Sequence, residues 1–113
     1  MNNLLKSKGF DELSQILHDT AIEKGFWDGE YTNDKVGLKL ALVHSEVTEV
    51  LEALRKSHGS EKIVEEIADV IIRLLDVYAA MKNEEVILHS LDEVLHNKIC
   101  INKDRPRLHG NAF

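Results

Sequence analysis

Two pairs of acidic residues are the part of this sequence best equipped for chemistry: Glu46 and Glu49 in Glu46-Val47-Thr48-Glu49, and Glu66 and Asp69 in Glu66-Ile67-Ala68-Asp69. On a helix this spacing puts both acids of a pair on one side, about 4.5 Å apart along the axis. If the two helices are antiparallel neighbours, four carboxylates converge. Left unpaired, such a cluster repels itself and raises its own pKa values, so it stays ionised chiefly when a cation neutralises it. Hard oxygen donors without thiolates suit Mg²⁺ or Mn²⁺ better than zinc or copper. Acid pairs at this spacing are also common on solvated helix faces, where lysines stand one turn on. Here both pairs lie among apolar residues instead.

The elements that must position these acids are helical. Phe10, Leu13, Leu17 and Ala21 form one stripe, with Asp11 and Glu12 in the first turn, and predict a helix over about 10–24. Gly25-Phe26-Trp27-Asp28-Gly29 breaks it and puts the only tryptophan in a loop. A second helix is expected over about 34–57, capped by Asp34 and ended at His58-Gly59-Ser60. A third, capped by Ser60, runs over about 61–81, and a fourth from Asn83 to about 103. Pro106 disfavours helix at Arg105, leaving 105–113 as an extended tail. The expectation is an all-α, four-helix antiparallel bundle, a single domain over residues 1–113.

The helix faces carry a further expectation. Leu40, Val43, Val47, Val50, Leu51 and Leu54 make one broad stripe on the second helix and read as an ordinary core. Glu46 and Glu49 lie opposite, among Leu38, Leu42, Ser45 and Ala53. On the third helix Ile63, Ile67, Val70, Ile71 and Leu74 form one stripe, while Ala68, Ile72, Leu75 and Ala79 cover much of the far side. A helix apolar nearly all round is buried on both sides. The second and third helices are therefore expected to pack against a second subunit as well.

Composition bounds the rest. The 113 residues suit one domain, 43% of them are apolar and 30% charged, and 6 Gly with 1 Pro are too few breakers for a many-stranded β architecture. With 14 Lys and Arg against 20 Asp and Glu, the formal charge of −6 disfavours duplex nucleic acid or an anionic membrane as partner. A small polyphosphate remains accessible to such a protein through a divalent cation. No apolar run approaches a membrane span or a signal peptide, so a cytoplasmic location is expected. Cys100 is the only cysteine, which excludes an internal disulfide.

The run Leu40-Ala41-Leu42-Val43-His44-Ser45-Glu46-Val47-Thr48-Glu49, followed by Glu65-Glu66-Ile67-Ala68-Asp69-Val70-Ile71-Ile72-Arg73, resembles the Glu-x-x-Glu … Glu-x-x-Asp signature of MazG-like, all-α nucleoside triphosphate pyrophosphohydrolases. The resemblance extends to Lys24-Gly25-Phe26-Trp27 before it and to Lys98, Asn102, Arg105-Pro106 and His109-Gly110 after it. It implies a dimer or dimer-based tetramer that cleaves a nucleoside triphosphate between the α and β phosphates with Mg²⁺, releasing monophosphate and pyrophosphate, and a role in clearing aberrant nucleotides. It also implies Glu46, Glu49, Glu66 and Asp69 as metal ligands, with Glu65 as a supporting acid or alternative ligand. Water would attack phosphorus with Glu46 or Glu49 orienting it or taking its proton.

Phosphate needs cations too. Lys98, Asn102 and Arg105 fall within about 60° of one another if the fourth helix reaches that far, and the resemblance implies nucleotide contacts for Lys98 and Asn102. Lys39 is a further candidate. Asn111 stands where the family often has a basic residue. Trp27 is a candidate to stack on the base, at about 1–3 kcal/mol per stack. Two other readings compete. A dinuclear carboxylate metalloprotein would use Glu93-Val94-Leu95-His96, but that fold needs a second such element, and none exists. A non-catalytic helical module would bind a nucleotide, or another protein, without cleavage.

Overall fold

The computed structural model describes Leu5 and residues 8–110, with His109 and Gly110 as backbone only. The described residues form four α-helices and no strands: α1 Phe10–Glu23, α2 Asn33–Arg55, α3 Ser60–Asn83 and α4 Leu91–Asp104. A 3₁₀ turn, Arg107–Gly110, follows. None of these helices is long and apolar enough to cross a membrane.

The ends of the helices explain where the sequence reading slipped. α1 closes as expected: Gly25 has φ 87°, Gly25 N–H donates to Ile22 and Phe26 N–H to Ala21. That is a Schellman motif with glycine in the left-handed position. α2 and α3 close in the same way without glycine. Ser57 (φ 55°) and Glu85 (φ 59°) take the left-handed conformation, and the N–H groups of His58 and Val86 bond back to Ala53 and Met81. α2 therefore stops before Gly59, which instead precedes the first turn of α3. The N-cap of α2 is Thr32, whose hydroxyl accepts from Lys35 N–H, rather than Asp34. The fourth helix does not begin at Asn83, because the chain turns at Glu85 and restarts only where the Ser90 hydroxyl accepts from Glu93 N–H. Arg105 is extended before Pro106, as expected, but Arg107–Gly110 then curl into a 3₁₀ turn rather than continuing extended, and residues 111–113 of the tail lie outside the described residues.

α3 is central. α1 and α2 both pack along it, and the buried set is Leu13, Ser14 and His18 from α1, Val36 and Ala53 from α2, and Glu66, Leu75, Val77, Ala79 and Ala80 from α3. α4 buries none of its residues and meets α1. One chain thus supplies three packed helices and an attached fourth, all-α as expected. The joint between α1 and α4 is reciprocal. Asp11 accepts from the Tyr78 and Ser90 hydroxyls and from the N–H groups of Leu91 and Asp92, while Asp92 accepts from Phe10 and Asp11 N–H. Each carboxylate caps the other's helix, where the dipole favours negative charge. Gly9 makes room, since a Cβ there would lie 2.5 Å from an Asp92 carboxylate oxygen.

The apolar stripe of α2 is not the core of this chain. Val47 and Leu51 are each 51% exposed and Leu54 62%, while Ala53, on the acidic side, is 2% exposed. Ile67, Ile71 and Leu74 of α3 are likewise exposed. Periodicity found the faces correctly, but the face that meets α3 is the one carrying the acids.

Candidate functional site

Packing α2 on α3 through that face brings the acids together. Carboxylate oxygens of Glu46, Glu66 and Asp69 all lie within 4.8 Å of one another, and this is the one group of ligand-type side chains close enough to share an ion among the described residues. Glu66 is buried at 7% exposure, Glu46 is half-buried and Asp69 is exposed. Glu49 borders the group. Its proton affinity is raised above the usual glutamate value, first by a hydrogen bond with Glu46, then by the Glu46 charge, with burial and Glu66 adding to it. Glu65 is exposed and outside the cluster.

Two cations are already in place. Arg73 Nε donates to Glu46 Oε1 at 2.7 Å, and Lys62 Nζ lies 2.8 Å from Glu66 Oε1. The Lys62 hydrogen bond holds the Glu66 carboxyl below its ordinary value against the opposing effect of burial, and the same bond raises the Lys62 amine.

Glu46 and Asp69 of this group line a cavity of about 460 Å³ in the groove between α1 and α2, with α3 as its floor, while Glu49 and Glu66 lie outside the lining. Leu17, Ala21, Leu42, Ile72 and Val77 give it apolar walls, with Phe26 from the loop after α1. Its charged lining is Lys24, Lys39 and Arg73 against Glu46, Asp69 and Asp76. Lys39 thus lines the cavity, and its amine is lowered by burial first, with Asp76 opposing and Arg73 and Lys35 contributing.

Compared with protein-family models, with curated proteins and with solved structures, the chain matches none.

Sequence reading missed the base of the cavity. Asp76 is held from behind by His18 Nδ1 at 2.7 Å and by Trp27 Nε1, at 2.9 and 3.0 Å to its two oxygens. His18 is buried and meets Trp27 edge-on, with ring centroids 5.2 Å apart. The available signal was the run Asp69, Arg73, Asp76, which recurs at helical spacing through an otherwise apolar stretch. Trp27 is half-buried and lies behind Asp76, outside the cavity lining, and Lys39 Nζ stands 4.5 Å from its ring centroid. Phe26, which is exposed, lines the cavity in its place. Lys98, Asn102 and Arg105 are exposed on and just beyond α4, and none of them lines the cavity. His96 lies 3.8 Å from Cys100, and neither it nor His44 belongs to the acid cluster.

Proposed function

We propose that the chain is a Mg²⁺-dependent nucleoside triphosphate pyrophosphohydrolase, converting a (d)NTP to the monophosphate and pyrophosphate. The observation that carries this reading is the convergence of carboxylates from α2 and α3 at the edge of a cavity that also presents three cationic side chains. Charge supports it. The cavity lining holds as many acids as bases, so a polyphosphate alone meets no net attraction, whereas a divalent cation at the acidic end leaves a positive surplus. The donors fit such an ion, being carboxylate oxygens with no imidazole or thiolate among them, a set suited to Mg²⁺ or Mn²⁺. When bound, the ion lowers the pKa of a coordinated water and polarises phosphate oxygens.

In this reading Glu46, Glu49, Glu66 and Asp69 hold the ion, as the resemblance to MazG-like proteins implies. Glu49 or Glu46 takes the proton from the attacking water, and in the metal-free chain Glu46 is the one that Arg73 engages. Lys24, Lys39 and Arg73 line the phosphate path, and the apolar walls with Phe26 receive the base.

A second copy completes the fold in the same reading. Val47 and Leu51 of α2 and Ile67, Ile71 and Leu74 of α3 are the exposed apolar side chains that such a copy would cover. The test is to incubate the protein with each dNTP and NTP plus Mg²⁺ and identify the products. Monophosphate with pyrophosphate, lost in Glu49→Gln with helicity unchanged, is the expected result. Orthophosphate would indicate another phosphohydrolase, and binding without cleavage a nucleotide-binding module.

A further inference from the structure

The two least exposed acids of the cluster are each held by a basic residue of α3, but the two bases differ in where else they can reach. Lys62 stands one turn before Glu66 and does not line the cavity. Arg73 binds Glu46 across the α2–α3 interface and does line it, in company with Lys39 and Lys24. Its side chain is 46% exposed, so the ion pair with Glu46 is neither sealed from water nor needed to close the core.

From this asymmetry we propose that Arg73 is a resident counterion with two stations. It occupies Glu46 while the carboxylates hold no metal, and it turns to the phosphate chain of the substrate when they do. The proposal rests on the metal-site reading above and adds a residue role to it. A guanidinium suits the exchange because its planar fork pairs with a carboxylate or with phosphate oxygens. The same positive charge cannot stay on Glu46 at full strength once a divalent cation is bound there, and the cavity is where it can go. Lys62 serves Glu66 in the same way but has no second station. The two residues should therefore behave alike toward metal and differently toward polyphosphate.

Calorimetric titration with Mn²⁺ alone, and then with inorganic diimidotriphosphate at saturating Mn²⁺, separates these roles in the full-length chain. Arg73→Gln is expected to tighten Mn²⁺ binding about tenfold, the scale of one water-accessible charged hydrogen bond, and to weaken diimidotriphosphate by about the same factor. Lys62→Gln should tighten Mn²⁺ and leave diimidotriphosphate unchanged. Arg73→Lys should regain part of the polyphosphate affinity. Both glutamine variants sit at exposed helix positions, and circular dichroism checks that they fold. Equal Mn²⁺ affinity in wild type and Arg73→Gln, or a loss of both affinities together, overturns the counterion role while leaving the metal site standing. Absence of Mn²⁺ binding in every variant overturns the metal site, and the counterion role with it.

Discussion

Asp11 should contribute strongly to the stability of this protein, and the amount can be worked from its bonds. It accepts four hydrogen bonds, from the Tyr78 and Ser90 hydroxyls and from Leu91 and Asp92 N–H. On Asp11→Ala two of these donors keep a partner: the Tyr78 hydroxyl still reaches the His89 carbonyl, and Leu91 N–H still reaches the Tyr78 oxygen. The Ser90 hydroxyl and Asp92 N–H lose theirs. Two lost charge-assisted bonds at about 1.5–3 kcal/mol each, discounted because water reaches the joint, give an expected loss of about 2–4 kcal/mol. That is a large share of the stability of a chain this size. The pH dependence gives a second check. These bonds hold the Asp11 carboxyl well below its ordinary 3.8, although burial opposes them. A depressed carboxylate contributes stability above its unfolded value and loses it as pH falls below. The gap between wild type and Asp11→Ala should therefore be full at pH 7 and shrink below about pH 4, by at most about 1.4 kcal/mol per pH unit. Urea unfolding followed by circular dichroism at pH 7 and pH 3 measures both. A loss under about 1 kcal/mol at pH 7, or a gap unchanged at pH 3, would refute the account of the α1–α4 joint.

Two further outcomes are expected. Glu49 has a raised proton affinity from its acidic neighbours, so the folded state holds its proton more tightly than the unfolded one, and the stability this gives at acid pH is lost as pH rises through the raised value. In the metal-free protein Glu49→Gln should thus raise the melting temperature at pH 7 and leave it nearly unchanged at pH 4. Added Mg²⁺ should stabilise wild type and not the variant; a lower melting temperature for the variant at pH 7 would remove the repulsion argument. For the apolar face, sedimentation at micromolar concentration should show a dimer or tetramer, and Ile71→Glu should shift it toward monomer, whereas a wild-type monomer would contradict the subunit contact.

The acid cluster was legible because it depends on local spacing. Three residues along a helix fix the side on which two carboxylates lie, and two such helices joined by a short turn leave few ways to separate the pairs. The helix ends were less legible, since Ser57 and Glu85 adopt left-handed conformations usually signalled by glycine. The cavity was hardly legible at all. Its contacts join residues far apart in sequence: His18 to Asp76 across 58 positions, Trp27 to Asp76 across 49, and Arg73 to Glu46 across 27. No periodicity encodes such pairs. Periodicity also could not say which of two apolar-bearing faces meets α3 and which stays exposed.

That ambiguity has a physical resolution in Ala53. Large aliphatic residues on the contact face would hold two helices nearer the upper end of the usual 8–10 Å separation, and small ones let them approach. The buried residue of α2 one turn beyond Glu49 is this alanine, at 2% exposure, while the larger Val47, Leu51 and Leu54 point away. Close approach is what carboxylates on short side chains need in order to come within 4.8 Å across two helices. A contact made by the leucine stripe would have buried more apolar surface but would have turned the acids outward and apart. The chain therefore packs its less hydrophobic face inward and leaves the more hydrophobic one exposed. The deficit in burial that follows is the same apolar surface that a second copy is proposed to cover, so the acid cluster and the exposed apolar face are two consequences of one choice of face.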